Sequence, residues 1–284
     1  MRYIILGLIM AGLFQVFFWI TQDNRVSLIE TSFEKVESLS YSPFEGYDKK
    51  VLSPEQIEED VSMLSHFTTK LRTYSTADAK VILEATSKTD IPIDLGIWIS
   101  GDHKENHLEI QRALKLLEKY PDNIANVIVG NETLLRADLE EEELFAYIDF
   151  VAEFTNKPIT CAETWDVWER IPDLAKHVDF ITIHILPYWE KVPIDRFNDF
   201  IIEKYTLVEK LFPYTKINIG ETGWPSHGYN NNNAVPSLKN QAVAIRGFIN
   251  LASEKGWDYN IVEAFDQPWK GYDEGNVGQY WGIF

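Results

Sequence analysis

Eight short apolar runs recur along this chain, and a helical pattern separates each run from the next. The runs cover residues 38–43, 71–75, 93–100, 126–130, 159–165, 180–186, 216–220 and 260–265. Most are apolar nearly throughout, as parallel strands covered on both faces are. Between them, Ser53-Pro54-Glu55 opens a helix with Ser as N-cap and Pro in the first turn, and Ile57, Val61 and Leu64 form its apolar face. Further helical patterns span 77–88, 104–120, 138–154, 166–177, 195–212 and 236–256. In the third helix Ile110, Ala113, Leu114 and Leu117 form one stripe, and the fourth begins with the acidic turn Glu140 to Glu143, which suits the helix dipole. Eight strands alternating with helices predict an α/β fold of the (β/α)8 TIM-barrel class with compact loops. An open doubly wound sheet also alternates, but usually has fewer strands, and no GxGxxG or GxxxxGK[ST] phosphate turn occurs here. Only 15 residues follow Trp269, and they are rich in Gly, so the eighth outer helix is expected to be reduced or missing. Either residues 26–36 cover that gap or the chain is cut from something longer.

The 284 residues suit one barrel. A net charge of -18 repels phosphate backbones and anionic lipid, so nucleic acid is not an expected partner and a neutral ligand is the easiest to accommodate. Cys161 is the single cysteine, which excludes an intrachain disulfide and a cysteine-based metal cluster.

Residues 3–20 form an apolar run of 18, interrupted by Gln15 and two glycines. That is longer than the usual signal-peptide core and just long enough to span a bilayer. Thr21-Gln22-Asp23-Asn24-Arg25 shows no small-x-small cleavage site. The expected organisation is an N-terminal transmembrane helix, as membrane anchor or uncleaved signal, in residues 1–22, a linker over 23–36 and a catalytic barrel over 37–284. A cleaved signal on a secreted protein is the alternative. Arg2 and Arg25 flank the run on opposite sides, so charge barely orients it.

Barrel sites lie at the carboxyl ends of the strands. Val127-Ile128-Val129-Gly130-Asn131-Glu132 and Ile217-Asn218-Ile219-Gly220-Glu221 each carry an acid at a strand tip. A carboxylate there is costly unless it is paired or used. Strands 4 and 7 of a closed ring of eight face one another, so Glu132 and Glu221 can hold a sugar ring between them, and paired carboxyls are the machinery of glycoside hydrolysis. Of nine tryptophans, Trp98, Trp165, Trp189, Trp224 and Trp269 fall at or just past strand ends, where they either stack on sugars or pack the upper barrel. Glu263 either contacts substrate or pairs with a barrel cation such as Arg72. His184 either reaches the cleft or is a satisfied core histidine. His103 and His107 stand four apart but lack the H-E-x-x-H order, so they read as a polar helix entrance, and no metal site is expected. Asn131-Glu132-Thr133 fits the N-glycosylation pattern, but glycosylation is not expected beside a catalytic Glu.

On these residues the chain resembles glycoside hydrolase family 17, the β-1,3-glucanase family, over roughly residues 36–284. Ile219-Gly220-Glu221-Thr222-Gly223-Trp224-Pro225-Ser226 resembles that family's nucleophile motif, and Val129-Gly130-Asn131-Glu132 its acid/base motif. The strings around Tyr41, Leu71-Arg72-Thr73-Tyr74, His184 and Glu263-Ala264-Phe265-Asp266-Gln267-Pro268-Trp269 look like the bacterial branch. Domains of that branch are often joined to membrane glycosyltransferases acting in glucan synthesis. The resemblance implies that Glu132 is the general acid/base, that Glu221 is the nucleophile, and that Asn131 bonds the sugar 2-hydroxyl. Tyr188, Trp189, Trp224 and Trp269 would line the cleft, and Tyr41, Tyr74, Trp98, Trp165, His184 and Glu263 are further candidate substrate contacts. The chain would act on neutral β-glucan by retaining double displacement, outside the cytoplasm, with no cofactor. The alternatives are a glucanosyltransferase that remodels or branches glucan, an unrelated barrel acting on another glycoside, and a non-catalytic tethered glucan-binding module. The loop 226–233, with four consecutive asparagines, departs from the family pattern and could shape the aglycone side.

Overall fold

The computed structural model describes residues 35–86 and 89–284, together with Gly12 alone. The expected anchor in residues 1–22 and the linker therefore lie outside the described residues, apart from Gly12, Lys35 and Val36. Among the described residues no helix is long and apolar enough to cross a membrane.

Eight parallel strands close a barrel: β1 Leu39–Ser40, β2 Leu71–Arg72, β3 Ile93–Ile97, β4 Ile124–Asn131, β5 Ile159–Thr164, β6 Ile181–His184, β7 Ile217–Thr222 and β8 Asp258–Ile261. They neighbour one another in sequence order, and Leu39 closes the ring by pairing with Leu71 on one side and Ile261 on the other. The eight predicted runs are these eight strands in order. Six end earlier at their carboxyl ends than the apolar pattern suggests, at residues 40, 72, 97, 164, 184 and 261. Residues 41–43, 73–75 and 262–265 lie past the strand ends, and Ser42, Tyr74, Ser75 and Val262 among them line the cleft above the barrel.

Helices α1 Pro54–Leu64, α2 Thr76–Thr86, α3 His103–Lys119, α4 Glu141–Ala152, α5 Trp165–Arg170, α6 Phe197–Leu211 and α7 Leu238–Lys255 fill the seven crossovers. Helix α1 shows the local logic. Ser53 Oγ accepts from the Gln56 amide while the Gln56 side chain accepts from the Ser53 amide, Pro54 occupies the first turn, and Ile57, Val61 and Leu64 are buried. Each of those three apolar side chains stabilises the fold by about 1.5–3 kcal/mol through burial, and replacing Ser53 with Ala would cost about 1 kcal/mol. The helix predicted over 166–177 is corrected to α5 followed by a 3-10 turn, Pro172–Lys176. Pro172 lacks the amide proton that a continuous helix needs and forces Ile171 into an extended φ of -125°.

No eighth α-helix follows β8 among the described residues. A 3-10 turn, Pro268–Tyr272, comes next, and the tail folds back so that the Ile283 and Phe284 amides donate to Ala264 O and the Gly282 amide donates to Asp266 Oδ1. Gln241 of α7 donates to Gly282 O, and Trp281 and Val277 are buried beneath. A short antiparallel hairpin, Phe44–Glu45 with Lys50–Val51, stands between β1 and α1 at the mouth of the barrel.

Candidate active site

Glu132 follows β4 and Glu221 lies in β7, and an oxygen of each comes within 4.8 Å of the other and of a His184 ring nitrogen. The turn after β4 depends on unusual backbone. Gly130 has φ +82°, where a Cβ would also meet Thr133 Oγ1 at 2.9 Å. Glu132 itself has φ +53°, a conformation that costs a non-glycine residue about 1–3 kcal/mol and persists only where surroundings impose it. Here the Glu132 amide donates to Ala162 O at 2.7 Å and its carbonyl accepts from the Arg136 amide at 2.9 Å. Glu163, fully buried on β5, accepts from the Leu134 and Leu135 amides at 2.8 and 3.3 Å and holds the same turn from the neighbouring strand. Burial pushes the Glu163 carboxyl up to about 7 against the pull of those two amides.

Arg72, at the end of β2 and 1% exposed, ties the two acidic strands together. Its guanidinium donates to Gly220 O, to Asn131 Oδ1 at 2.6 Å and to His184 Nε2 at 3.2 Å, and lies 3.4 Å from Glu221 Oε1. Gly220 permits this approach: a Cβ there would stand 2.3 Å from Thr182 Cγ2 and 3.2 Å from Arg72 Nη1. Arginine only donates, so His184 Nε2 accepts and Nδ1 carries the proton directed at Glu132 Oε1, 2.7 Å away. The second Glu132 oxygen is left for the reacting proton.

Glu221 Oε1 accepts from the Tyr74 hydroxyl at 2.8 Å. Behind Tyr74 runs a directed chain: Asn260 Nδ2 donates to Ser40 Oγ at 2.8 Å, and Ser40 lies 2.9 Å from the Tyr74 oxygen, which it can supply with a proton. Burial raises the Glu221 carboxyl, but Arg72, the Tyr74 hydroxyl and Lys270 outweigh it and hold the group below the usual carboxylate range. Burial, with Glu221 alongside, keeps the Tyr74 phenol protonated well above its ordinary range, so it stays a donor.

A cleft of about 1610 Å3 opens over this centre. Of the residues expected there, Tyr74, Trp98, Asn131, Trp165, His184, Trp189 and Trp269 line it with the two glutamates. Trp98 lies under Arg136 at 4.4 Å, Trp165 under Lys204 at 4.1 Å, and Trp189 stacks on Trp281 at 5.9 Å. Three expected cleft residues are in the core instead. Tyr41 is buried and donates to Asp60; Trp224 is fully buried, donates to Val235 O and packs on Phe197; and Tyr188 is wedged between Trp224 and Trp281 and donates to Tyr229 O. Each of the three finds a hydrogen-bond acceptor inside the fold, which is what lets a Tyr or Trp bury completely. Glu263 does not line the cleft and does not pair with Arg72: its carboxylate takes Lys270 Nζ at 2.8 and 2.9 Å. His103 shares a hydrogen bond with Tyr147 at the start of α3, a polar helix entrance.

Arg136, Lys270, Trp281 and Tyr229 also reach the cleft and were not singled out from the sequence. Lys270 directly follows Trp269 and was the most findable; Trp281 is brought in by the folded-back tail. Glu132, His184 and Glu221 are close enough to ligate a cation, and the Arg72 guanidinium supplies a positive charge beside Glu221 Oε1 and His184 Nε2. The arrangement provides two carboxyls on opposite sides of a cleft, one held ionised and one beside an imidazole, walled by flat aromatic rings.

The sequence profile of the BtgE/BtgC glycoside hydrolase domain matches residues 38–282. A glucan 1,3-beta-glucosidase of Schizosaccharomyces pombe is 28% identical over 243 residues, covering 78% of this chain and 75% of that protein. A protein named as a probable beta-glucosidase (btgE) of Aspergillus fumigatus is 27% identical over 257 residues, 87% of this chain but only 44% of that longer protein. These relatives are fungal and give no support to the expected bacterial branch. Among solved structures, the glycoside hydrolase family 17 beta-1,3-glucanosyltransferase from Rhizomucor miehei superposes with a TM-score of 0.78 at 26% identity, covering 88% of this chain and 92% of that one. An active-site mutant of the Rhizomucor miehei glucanosyltransferase, in complex with laminaritriose, superposes equally well at 25% identity. With the profile running from the first barrel strand to the folded-back tail, the chain belongs to the BtgE/BtgC glycoside hydrolase domain family.

Proposed function

We propose that this chain is a retaining β-1,3-glucan-active glycosidase or transglycosylase, with Glu132 as general acid/base and Glu221 as nucleophile. The observation that carries the reading is that the two carboxyls bring one oxygen each to within 4.8 Å of one another. Retaining enzymes hold them about 5–5.5 Å apart, and inverting ones about 6.5–9.5 Å, to admit a water. The linkage rests on the S. pombe and R. miehei relatives. Glu221 Oε1 is held by Tyr74 and Arg72, so Oε2 attacks the anomeric carbon, while Glu132 gives its proton to the departing glycosidic oxygen. Asn131 commits its Oδ1 to Arg72, which turns Nδ2 toward the sugar 2-hydroxyl. Glu132, left as a carboxylate once it has given its proton to the departing oxygen, then serves as base for the incoming acceptor, whose oxygen displaces Glu221 from the anomeric carbon.

Glu221→Ala with azide should yield an α-glucosyl azide and Glu132→Ala a β-glucosyl azide. Exchange of those two products would reverse the roles, and full turnover in Glu221→Ala would remove the site from the reaction. A second reading, glucanosyl transfer, is favoured by the likeness to the R. miehei transferase and by the aromatic walls Trp98, Trp165 and Trp189. Products longer than the starting laminari-oligosaccharide would establish transfer, and glucose release alone would exclude it. The apolar run of residues 3–20 supports a further reading, that the barrel is tethered outside the cytoplasm by residues 1–22 through the linker 23–36. Recovery of the full chain in the soluble fraction after cell lysis would overturn it.

A further inference from the structure

Two loops meet at the rim of the cleft over β1 and β8: the 44–51 hairpin and the 3-10 turn Pro268–Tyr272. Two aromatic pairs join them. The inner pair, Phe44 and Trp269, has ring centroids 6.2 Å apart at 85°, lines the cleft wall, and carries Lys49 Nζ 4.7 and 4.2 Å over its rings. The outer pair, Tyr47 and Tyr272, lies three residues further along each loop, with centroids 6.3 Å apart at 73°. Tyr47 is 59% exposed and Tyr272 76%, and neither touches the cleft itself. Tyr47 is anchored by its hydroxyl, which donates to Gln279 Oε1 at 3.3 Å.

Burial does not account for the outer pair, because most of each ring faces water. The pair repeats the inner one and continues it outward. A tyrosine face offers an apolar plane bordered by a hydroxyl, which complements the C–H face and hydroxyl edge of a pyranose. We propose that Tyr47 and Tyr272 form an outer sugar-binding rung, which takes the stretch of a neutral glucan chain that leaves the cleft past Phe44 and Trp269. The inference rests on the β-glucan reading of the cleft and adds to it a preference for long chains. The occupant is sugar and not a second copy of this chain, because the pair is continuous with the wall of the sugar cleft.

The test is kcat/KM on laminari-oligosaccharides of increasing length and on soluble laminarin, for the full chain and for Tyr47→Ala, Tyr272→Ala and the double variant. Tyr214→Ala is the control, since Tyr214 is fully exposed but sits in the α6–β7 connection at the opposite end of the barrel. The double variant should lose roughly five- to tenfold on the longest substrates, keep its rate on the trisaccharide, and differ in this from Tyr214→Ala. A loss that is equal at every length, no loss at any length, or a change in self-association with an unchanged length profile would overturn the rung. Inactivity of the unmutated chain on β-1,3-glucans of every length is a separate result: it would overturn the functional reading and this inference with it.

Discussion

Tyr74→Phe removes one hydroxyl and nothing else from the donors around Glu221. The lost bond is a 2.8 Å contact to a carboxylate that is 8% exposed, and such charge-assisted bonds contribute about 1.5–3 kcal/mol. Losing that stabilisation of the charged form moves the Glu221 carboxyl back up toward the usual carboxylate range. The sign follows from the role: a nucleophile must be ionised, a higher pKa leaves more of it protonated at a given acidic pH, and the acid limb of kcat/KM moves to higher pH. Stability falls as well. A carboxyl whose folded pKa is depressed stabilises the fold above its unfolded pKa, and that contribution shrinks when the depression does. Ser40 also loses the acceptor for its hydroxyl, at a further cost of about 1–3 kcal/mol. The assay is the pH profile of kcat/KM on laminari-oligosaccharides, with urea denaturation as the check on folding. A folded variant whose acid limb has not moved would show that Tyr74 does not set the charge state of the nucleophile.

Trp224→Ala should lower stability by about 3–5 kcal/mol with little change in KM, because the ring is wholly inside; a large KM effect in a stable variant would return Trp224 to the cleft. Lys270→Met leaves the buried Glu263 carboxylate without its cation and should cost about 3–5 kcal/mol in denaturant titration; an unchanged midpoint would mean that Glu263 is held protonated and needs no partner. Glu163 is wholly buried, titrates near 4.5 when unfolded, and is pushed up to about 7 when folded. Its contribution is therefore full below about pH 4.5 and lost as pH rises through 7, an amount of about 3 kcal/mol. Glu163→Gln should remove that slope, seen as the difference between the two urea midpoints across pH 4–8, and parallel profiles would refute it.

The barrel was legible because its signals are local. A strand buried on both faces is apolar throughout, a helix shows its stripe and its cap, and both periods survive in a single sequence. The two glutamates were legible for a related reason: an acid at the end of an apolar run stands out. Strand ends were less legible: Thr73-Tyr74-Ser75 and Val262-Glu263-Ala264-Phe265 carry the β-branched and aromatic residues that strands favour, yet they lie past the ends of β2 and β8. The aromatic contacts divided. Trp98 and Trp224 both follow apolar runs, yet one is 39% exposed in the cleft and the other is fully enclosed. Trp224 is enclosed because Val235 O, eleven residues on, is positioned to accept its indole proton.

By itself the sequence determined the order of eight strands, the seven helices between them, and the placement of two carboxyls on strands that must face one another. Those follow from periodicity and from the fixed geometry of a closed ring. Only the tertiary structure decided how the carboxyls differ. Arg72 reaches Glu221, Asn131 and His184 from β2, Tyr74 arrives backed by Ser40 and Asn260, and Glu163 clamps the Glu132 turn from β5. Each of these contacts joins residues far apart in the chain, and a charge state set by such neighbours is invisible until the barrel has closed.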